Sequence, residues 1–219
     1  MSGPWNDGVA PQLTWANLYS LNPASYGPGQ LFYVSDVGIG GSYWYSNGVR
    51  WTPLNGSVHL LRLRNVAFPA GGTEVKFASC KIPTGLVAAG RSLGYQISYQ
   101  KSGATETLTL KCRWGPADDI SGTQVLSTAA VNAASQWGYA LNELFRASAT
   151  TVTKHGIGGI GGIGGAGGVS STVLAPSNTT LTGVNLDSTD SYFAFTSAFS
   201  ATTETGIATT IALELLDGA

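Results

Sequence analysis

The chain has 219 residues, and only 11% of them are charged, with 11 basic and 12 acidic side chains and a net charge of -1. Ordinary globular domains carry roughly 25% charged residues. A chain this close to neutral has no electrostatic means of attracting nucleic acid or an anionic membrane, so we expect neither as a partner. Its 43% hydrophobic content supplies ample material for a core. So little charge beside so much apolar surface indicates burial against further copies of the chain.

The first segment, residues 1–28, is irregular and rich in proline, and we predict an extended N-terminal arm. Its opening, MSGPWNDGVAPQLTW, has neither the basic n-region nor the apolar h-region of a secretory signal peptide. No window of the chain approaches the roughly eighteen continuous apolar residues of a membrane helix. We therefore expect the chain to be made and folded in a cytoplasm.

The second segment, residues 29–56, contains YVSDVGIGGSYWYSNGVRW, in which aromatic residues and glycines surround Asn47-Gly48. An Asn-Gly dipeptide between alternating residues is the strongest short hairpin signal. Tyr43 and Tyr45 share one face of the preceding strand, and Trp44 takes the other. We predict a compact β-hairpin module, packed largely by its own aromatic rings, that connects the arm to the rest of the chain and is not itself a contact surface.

The third segment, residues 57–219, carries some eight runs that resemble strands, close to the number that a jelly-roll sandwich needs. The clearest runs alternate within residues 92–114, where we predict a hairpin with one buried face. Its apolar positions are Leu93, Tyr95, Ile97, Tyr99, Leu108, Leu110, Cys112 and Trp114. Further alternating sets are Leu61 and Leu63; Phe193, Phe195 and Phe199; and Ile211, Leu213 and Leu215. Residues 128–148 have helical spacing and suit a short helix or a loop over a sheet edge equally.

The repeat GIGGIGGIGGAGG, residues 156–168, allows two interpretations. Glycine has no side chain to bury and loses the most entropy on ordering, which favours a flexible surface loop. The period of three also matches a polyproline-II backbone, in which Ile157, Ile160 and Ile163 line one edge. Such an edge would pack against neighbouring copies or sit at a distal tip.

The residues that usually carry catalysis form no recognisable pattern. His59 and His155 do not cluster with Cys80 and Cys112 at zinc-binding spacing, and no nucleophile elbow is present. Two cysteines are too few for a disulfide framework, and we expect both to behave as small buried hydrophobic residues. The acidic pair Asp118–Asp119 follows a Gly-Pro dipeptide and indicates a turn. We predict no catalytic residue, no metal ion and no cofactor.

The second segment resembles a short module of tailed-bacteriophage tail and fibre proteins, in which a VSD.G..GS.W.SNG.RW.P.NG pattern precedes a C-terminal β-domain. The matching residues are Val34, Ser35, Asp36, Gly38, Gly41, Ser42, Trp44, Ser46, Asn47, Gly48, Arg50, Trp51, Pro53, Asn55 and Gly56. Residues 81–115 are similar to a hairpin of the trimeric jelly-roll tips of such proteins. The resemblance extends over residues 29–216 and is weaker after the first thirty of these residues. The glycine repeat has no counterpart in those proteins.

This resemblance implies a virion structural protein, assembled in the cytoplasm of a host bacterium, at a tail or fibre tip. The implied fold is all-β: a small β-hairpin module followed by an antiparallel jelly-roll sandwich, homotrimeric about an apolar axis as in tumour-necrosis-factor-like and C1q-like domains. With Met1 at the start, we expect no shaft before the tip. The arm would then anchor the trimer to other virion proteins, with Trp5 and Trp15 as its contact residues.

Two functions fit such a protein best. The first is receptor binding, in which the jelly roll recognises a bacterial surface glycan or protein. Such sites are shallow and combine an exposed aromatic ring with a few polar groups. The expected contacts are Trp137, Tyr139, His155, Ile157, Ile160 and Ile163. The alternative is a capsid decoration, head-fibre or tail-assembly protein without a receptor of its own. A hydrolase of surface polysaccharide is least favoured, because it needs a carboxylate pair in a groove.

Overall fold

The computed structural model describes residues 10–26, 28–103, 105–127, 136–162 and 170–217. In these ranges the chain is all-β, as predicted, with strands in three sheets and one short α-helix. Every strand pair is antiparallel except β1 with β2. No helix in the described ranges is long and apolar enough to cross a membrane.

The first sheet, called the module sheet here, has the strand order β1-β2-β3-β4. Its strands are β1 (Gln12–Leu13), β2 (Leu31–Val34), β3 (Ser42–Ser46) and β4 (Trp51–Pro53). The helix α1 (Trp15–Ser20) and a 3-10 turn (Pro23–Ser25) connect β1 to β2. The part of the predicted arm that contains β1, α1 and the 3-10 turn is therefore folded and not extended. An apolar face of α1 is buried against the module sheet.

Two further sheets hold the remaining ten strands. The large sheet has the order β12-β11-β10-β7-β14-β5, and the opposing sheet has the order β6-β13-β8-β9. The large sheet consists of β5 (Ser57–Ala67), β7 (Arg91–Lys101), β10 (Gln136–Arg146), β11 (Thr151–Gly162), β12 (Ser170–Thr180) and β14 (Gly206–Asp217). The opposing sheet consists of β6 (Val75–Ile82), β8 (Leu108–Gly115), β9 (Thr123–Ser127) and β13 (Ser191–Phe199).

The connections between these two sheets are those of a jelly roll. The chain crosses from β5 to β6, back to β7, on to β8 and β9, back to β10, and later from β13 to β14. Eight strands thereby form two interleaved four-stranded sheets, which is the predicted jelly-roll sandwich. The hairpin of β11 and β12 is inserted between β10 and β13, the sixth and seventh of these eight strands, and extends the large sheet at one edge.

The core lies between the large and opposing sheets. The Tyr95 ring of β7 lies 5.5 Å from Phe193 of β13, and Phe193 lies 5.7 Å from Trp114 of β8. The predicted inward residues of these strands are buried, as are Phe195 and Leu213. Strict alternation therefore identified the buried face of each of these strands correctly.

The predicted hairpin over residues 92–114 is wrong in its pairing. The two strands exist, but β7 pairs with β10 and β14, whereas β8 pairs with β13 and β9. They face each other across the core instead of sharing a ladder. A strand with one buried face shows the same alternation whether it pairs with the next strand in sequence or packs opposite that strand across the core.

Two other segments form strands that the sequence did not indicate. Residues 136–146 form β10 and not a helix or an edge loop, because they pair on both sides, with β7 and with β11. The first part of the glycine repeat, residues 156–162, lies in β11 and not in a loop. Ile157 and Ile160 belong to that strand and pair with β10, so the polyproline-II interpretation does not apply to them. Ile163 is outside the described residues.

Candidate functional site

The matched residues of the module support its fold. The Asp36 carboxylate accepts a hydrogen bond from Trp15 N at 2.6 Å, at the start of α1. The Ser42 hydroxyl accepts one from Trp44 Nε1 at 2.7 Å. Asn47 begins the β3–β4 turn, where its Oδ1 accepts hydrogen bonds from Val49 N at 2.9 Å and Arg50 N at 2.8 Å. The hairpin is thus confirmed, and its residues are occupied by the fold.

Trp15, predicted as a docking residue, lies in the core. Its side chain is 3% exposed, its Nε1 donates to Thr84 O at 2.8 Å, and its ring lies 4.8 Å from Trp44. An indole in this position has no surface to offer a partner. Trp5, the other predicted docking residue, is outside the described residues. The module is also not packed by its own rings alone, because the arm supplies Trp15.

Arg91 of β7 joins the module to the jelly roll. The guanidinium is 3% exposed, donates to Asp217 Oδ1 at 2.8 Å, and also donates to Trp51 O. It lies 5.1 Å from the Trp44 ring centroid, a cation–π contact. Burial lowers the pKa of Arg91, and the hydrogen bond to Asp217 opposes that effect. The module and the jelly roll therefore share a buried polar junction and a continuous core.

Most of the predicted contact residues lie in the adjacent strands β10 and β11. Trp137 pairs with Gln100 of β7 on one side and with Gly161 of β11 on the other. Tyr139, two residues further along β10, pairs with Ser98 of β7 and with Gly159 of β11. Ile157 pairs with Leu141, and Ile160 with Gly138. The fold therefore places residues far apart in sequence on one end of the large sheet.

The two histidines lie at opposite ends of one row across the large sheet. His59 of β5 is opposite Glu214, Glu214 is opposite Gly94, Gly94 is opposite Glu143, and Glu143 is opposite His155. Four strand spacings of about 4.8 Å separate the histidines by about 19 Å. They are too far apart to bind the same metal ion. At the β5 end, His59 Nδ1 lies 2.5 Å from Glu214 Oε1.

A groove lies where the module meets β5. Three of its apolar lining residues, Ile39, Tyr43 and Leu54, are 57%, 47% and 53% exposed. Asn55 and His59 contribute polar groups to the same groove, whose volume is about 210 Å³. This is the mixture of exposed aromatic and polar groups that the sequence led us to expect elsewhere, on β10 and β11. The signal that could have located it is Tyr43, which must face outward when Trp44 faces the core.

The acidic side chains Glu204 and Asp119 support local structure in the jelly roll. The Lys101 ammonium donates to Glu204 Oε2, and Thr105 N donates to Glu204 Oε1 at 2.6 Å. Burial raises the pKa of Glu204, but these hydrogen bonds outweigh it and lower the pKa to about 2. Asp119 accepts a hydrogen bond from Ser121 N at 2.7 Å, so the acidic pair is part of a turn, as predicted. In the described part of the chain, no three metal-ligating side chains come together.

Both cysteines are free thiols packed in the sandwich. Cys112 is buried, as predicted, and Cys80 is half-buried. Burial raises the pKa of both thiols, to about 11 for Cys80. Neither is a thiolate at neutral pH, so neither has the reactivity of a catalytic cysteine.

No protein-family model and no curated protein matches the chain. Among solved structures, it is similar to a chain of infectious bursal disease virus, Gx strain, with 14% identity over 74% of this chain and 32% of that one, at a TM-score of 0.32. A mutant VP2 protein of the same virus gives 12% identity, coverages of 87% and 43%, and a TM-score of 0.31. The lectin UEA-II, complexed with galactose, gives 10% identity, coverages of 89% and 96%, and a TM-score of 0.34. The chain spans about a third of the length of the first of these, and similarity of this extent says nothing about what it binds.

Proposed function

We propose that the chain is a bacteriophage virion protein at a tail or fibre tip, where a homotrimer of its jelly-roll domain attaches the particle to a bacterial surface glycan or protein. The proposal joins the resemblance of residues 34–56 to the fold that those residues adopt. It is a binding function and not an enzymatic one.

The observation that carries the proposal is the structural role of the matched residues. Asp36, Ser42 and Asn47 make the hydrogen bonds that shape the module, and Trp44 and Trp51 are buried in its core. The residues that carry the resemblance therefore belong to one folded unit, which supports the proposal. The unit is followed directly by a jelly roll, the order in which such modules precede their β-domains.

Attachment needs a contact surface on the jelly roll. The positions of Trp137, Tyr139 and His155 on β10 and β11 remain predicted contacts, on the inserted end of the large sheet. The low charge of the chain supports self-association, since a trimer axis is usually built from uncharged surface. We further propose that the arm before α1, with Trp5, contacts other virion proteins.

The experiment is the binding of fluorescently labelled full-length protein to a panel of bacterial strains, measured by flow cytometry. We expect saturable binding to the susceptible strains, with unlabelled protein competing for the same sites. Absence of saturable binding to every strain would overturn the attachment function. It would favour the alternative, a decoration or assembly protein without its own receptor.

A further inference from the structure

The groove between the module and β5 has a fixed shape. Ile39 N donates to His59 O at 2.8 Å, which ties the loop after β2 to β5. Leu54 N donates to Tyr43 O at 2.9 Å, which ties the end of β4 to β3. A Cβ at Gly38 would lie 2.6 Å from Val58 Cγ1, so the loop approaches β5 as closely as glycine allows. The walls are therefore held in place by backbone contacts.

The buried tryptophans of the module pattern and the exposed apolar residues that line the groove have different roles. The module pattern includes Trp44 and Trp51, which face the core. Ile39, Tyr43 and Leu54 fall between pattern positions and point to solvent. Ile39 and Leu54 are more than half exposed, and Tyr43 is 47% exposed although its ring lies 5.1 Å from the Tyr33 ring. Exposed apolar side chains gathered in one place and rimmed by polar groups are typical of a contact site.

The polar groups of the groove are arranged for hydrogen bonding. His59 Nδ1 faces Glu214 Oε1 at 2.5 Å, so the carboxylate fixes the imidazole ring. The other ring nitrogen, Nε2, points away from that carboxylate by the geometry of imidazole. The Asn55 amide lies on the same groove and offers both a donor and an acceptor.

The size and charge of the groove select the occupant. A volume of about 210 Å³ is below the roughly 300–1,000 Å³ of sites for larger ligands, and too small for a helix or a folded partner. None of the residues that line it is lysine or arginine, so it offers no cation to a phosphate or carboxylate ligand. A sugar ring matches this environment, because its C–H face packs on an aromatic ring and its hydroxyl edge needs donors and acceptors.

We infer that this groove binds one neutral pyranose unit of a glycan, which packs on the Tyr43 ring and hydrogen-bonds to Asn55 and His59. The inference rests on the proposed attachment function for the source of the sugar, the bacterial surface. It adds a contact site on the module and β5 to the contacts predicted on β10 and β11, and it departs from the expectation that the module is not a contact surface.

The test is saturation-transfer NMR and calorimetric titration of the full-length protein with neutral hexoses, deoxyhexoses and N-acetylhexosamines. We expect at least one of these sugars to bind, and Tyr43→Ala to weaken that binding by about tenfold, the usual loss for one aromatic contact. Tyr19→Ala is the matched control, because Tyr19 is 43% exposed and lies outside the groove. Binding by none of these sugars, or equal binding by wild type and Tyr43→Ala, would overturn the inference.

Labelled-cell binding by the same variants separates this inference from the attachment function. If wild type and Tyr43→Ala bind bacteria equally, the groove inference fails and attachment stands. If the wild type binds a sugar through the groove but no bacterium, attachment fails and the groove site stands. Loss of cell binding in Tyr43→Ala but not in Tyr19→Ala would support both the groove site and the attachment function.

Discussion

At the scale of single residues, the half-buried carboxylate of Glu74 holds strands of the opposing sheet together. Glu74 precedes β6 and receives hydrogen bonds from Arg113 Nε at 2.5 Å, Lys111 Nζ at 2.8 Å and Thr196 Oγ1 at 2.7 Å. The Arg113 hydrogen bond is the main reason that the pKa of Glu74 falls to about 2, and it outweighs the opposing effect of burial. The cluster links β6, β8 and β13, the first three strands of the opposing sheet.

Stability should depend on this carboxylate in acid. A pKa lower in the folded than in the unfolded chain stabilises the fold above the unfolded value of 4.5, and that contribution is lost as the pH falls toward 2. Glu74→Gln should therefore lower the free energy of unfolding by about 1–3 kcal/mol at pH 7. The difference from wild type should shrink to near zero at pH 2.

Urea denaturation at pH 7 and pH 2 measures both free energies. The control is Glu214→Gln, whose carboxylate is 33% exposed and belongs to a surface pair that contributes little stability. An equal effect of Glu74→Gln at the two pH values would show that the pairing of Glu74 is not what stabilises this sheet.

At the scale of elements, α1 is part of the core and not a free arm. Trp15 and Leu18 are 3% and 0% exposed, whereas Tyr19 on the same helix is 43% exposed. Trp15→Ala should lower the free energy of unfolding by about 3–5 kcal/mol, because it leaves a cavity beside Trp44. Tyr19→Ala should cost less than about 1 kcal/mol, as surface substitutions usually do.

Urea unfolding of the two variants tests this assignment. Unchanged stability of Trp15→Ala would place the indole outside the core and return it to a docking role. The same reasoning applies to a deletion of residues 1–28. The deletion removes β1 and the buried face of α1, so it should destabilise the module as well as prevent docking.

Sequence patterns predict which face of a strand is buried better than they predict which strands pair with each other. Alternation identified Leu93 and Tyr95 in β7 and Phe193 in β13 as core residues, because one-sided burial has a period of two wherever the strand pairs. Pairing depends on contacts between distant segments, so β7 and β8 were wrongly joined in a hairpin. The sequence does not indicate a strand over residues 156–162, because glycine is depleted in strands; these residues are part of β11, which pairs with β10 and β12.

The candidate site was predictable only in part. The sequence indicates that Tyr43 and Trp44 face opposite sides, but we expected the hairpin to be covered on both sides, whereas Tyr43 is 47% exposed. It did not show that Leu54 and His59 meet that ring, since the groove forms only when the module folds against β5. Trp15 was misjudged for a similar reason: an apolar residue in a proline-rich segment gives no sign of the core that will receive it.

At the scale of the whole molecule, the low charge and the jelly roll lead us to expect a trimer. A homotrimer would have a mass of three times 22.6 kDa, or about 68 kDa. Light scattering coupled to size-exclusion chromatography should give this mass at micromolar concentration. A mass of 22.6 kDa that stays constant as the concentration rises would exclude the trimer, and with it the avidity on which attachment depends.

The position of the protein in a particle is the central claim, and immunogold electron microscopy measures it directly. Antibody raised against the full-length chain is applied to intact phage particles that carry it, with pre-adsorbed antibody as the control. We predict gold at the distal end of the tail or its fibres, in numbers that saturate. Particles without label, or label confined to the head, would contradict a role at the tail or fibre tip.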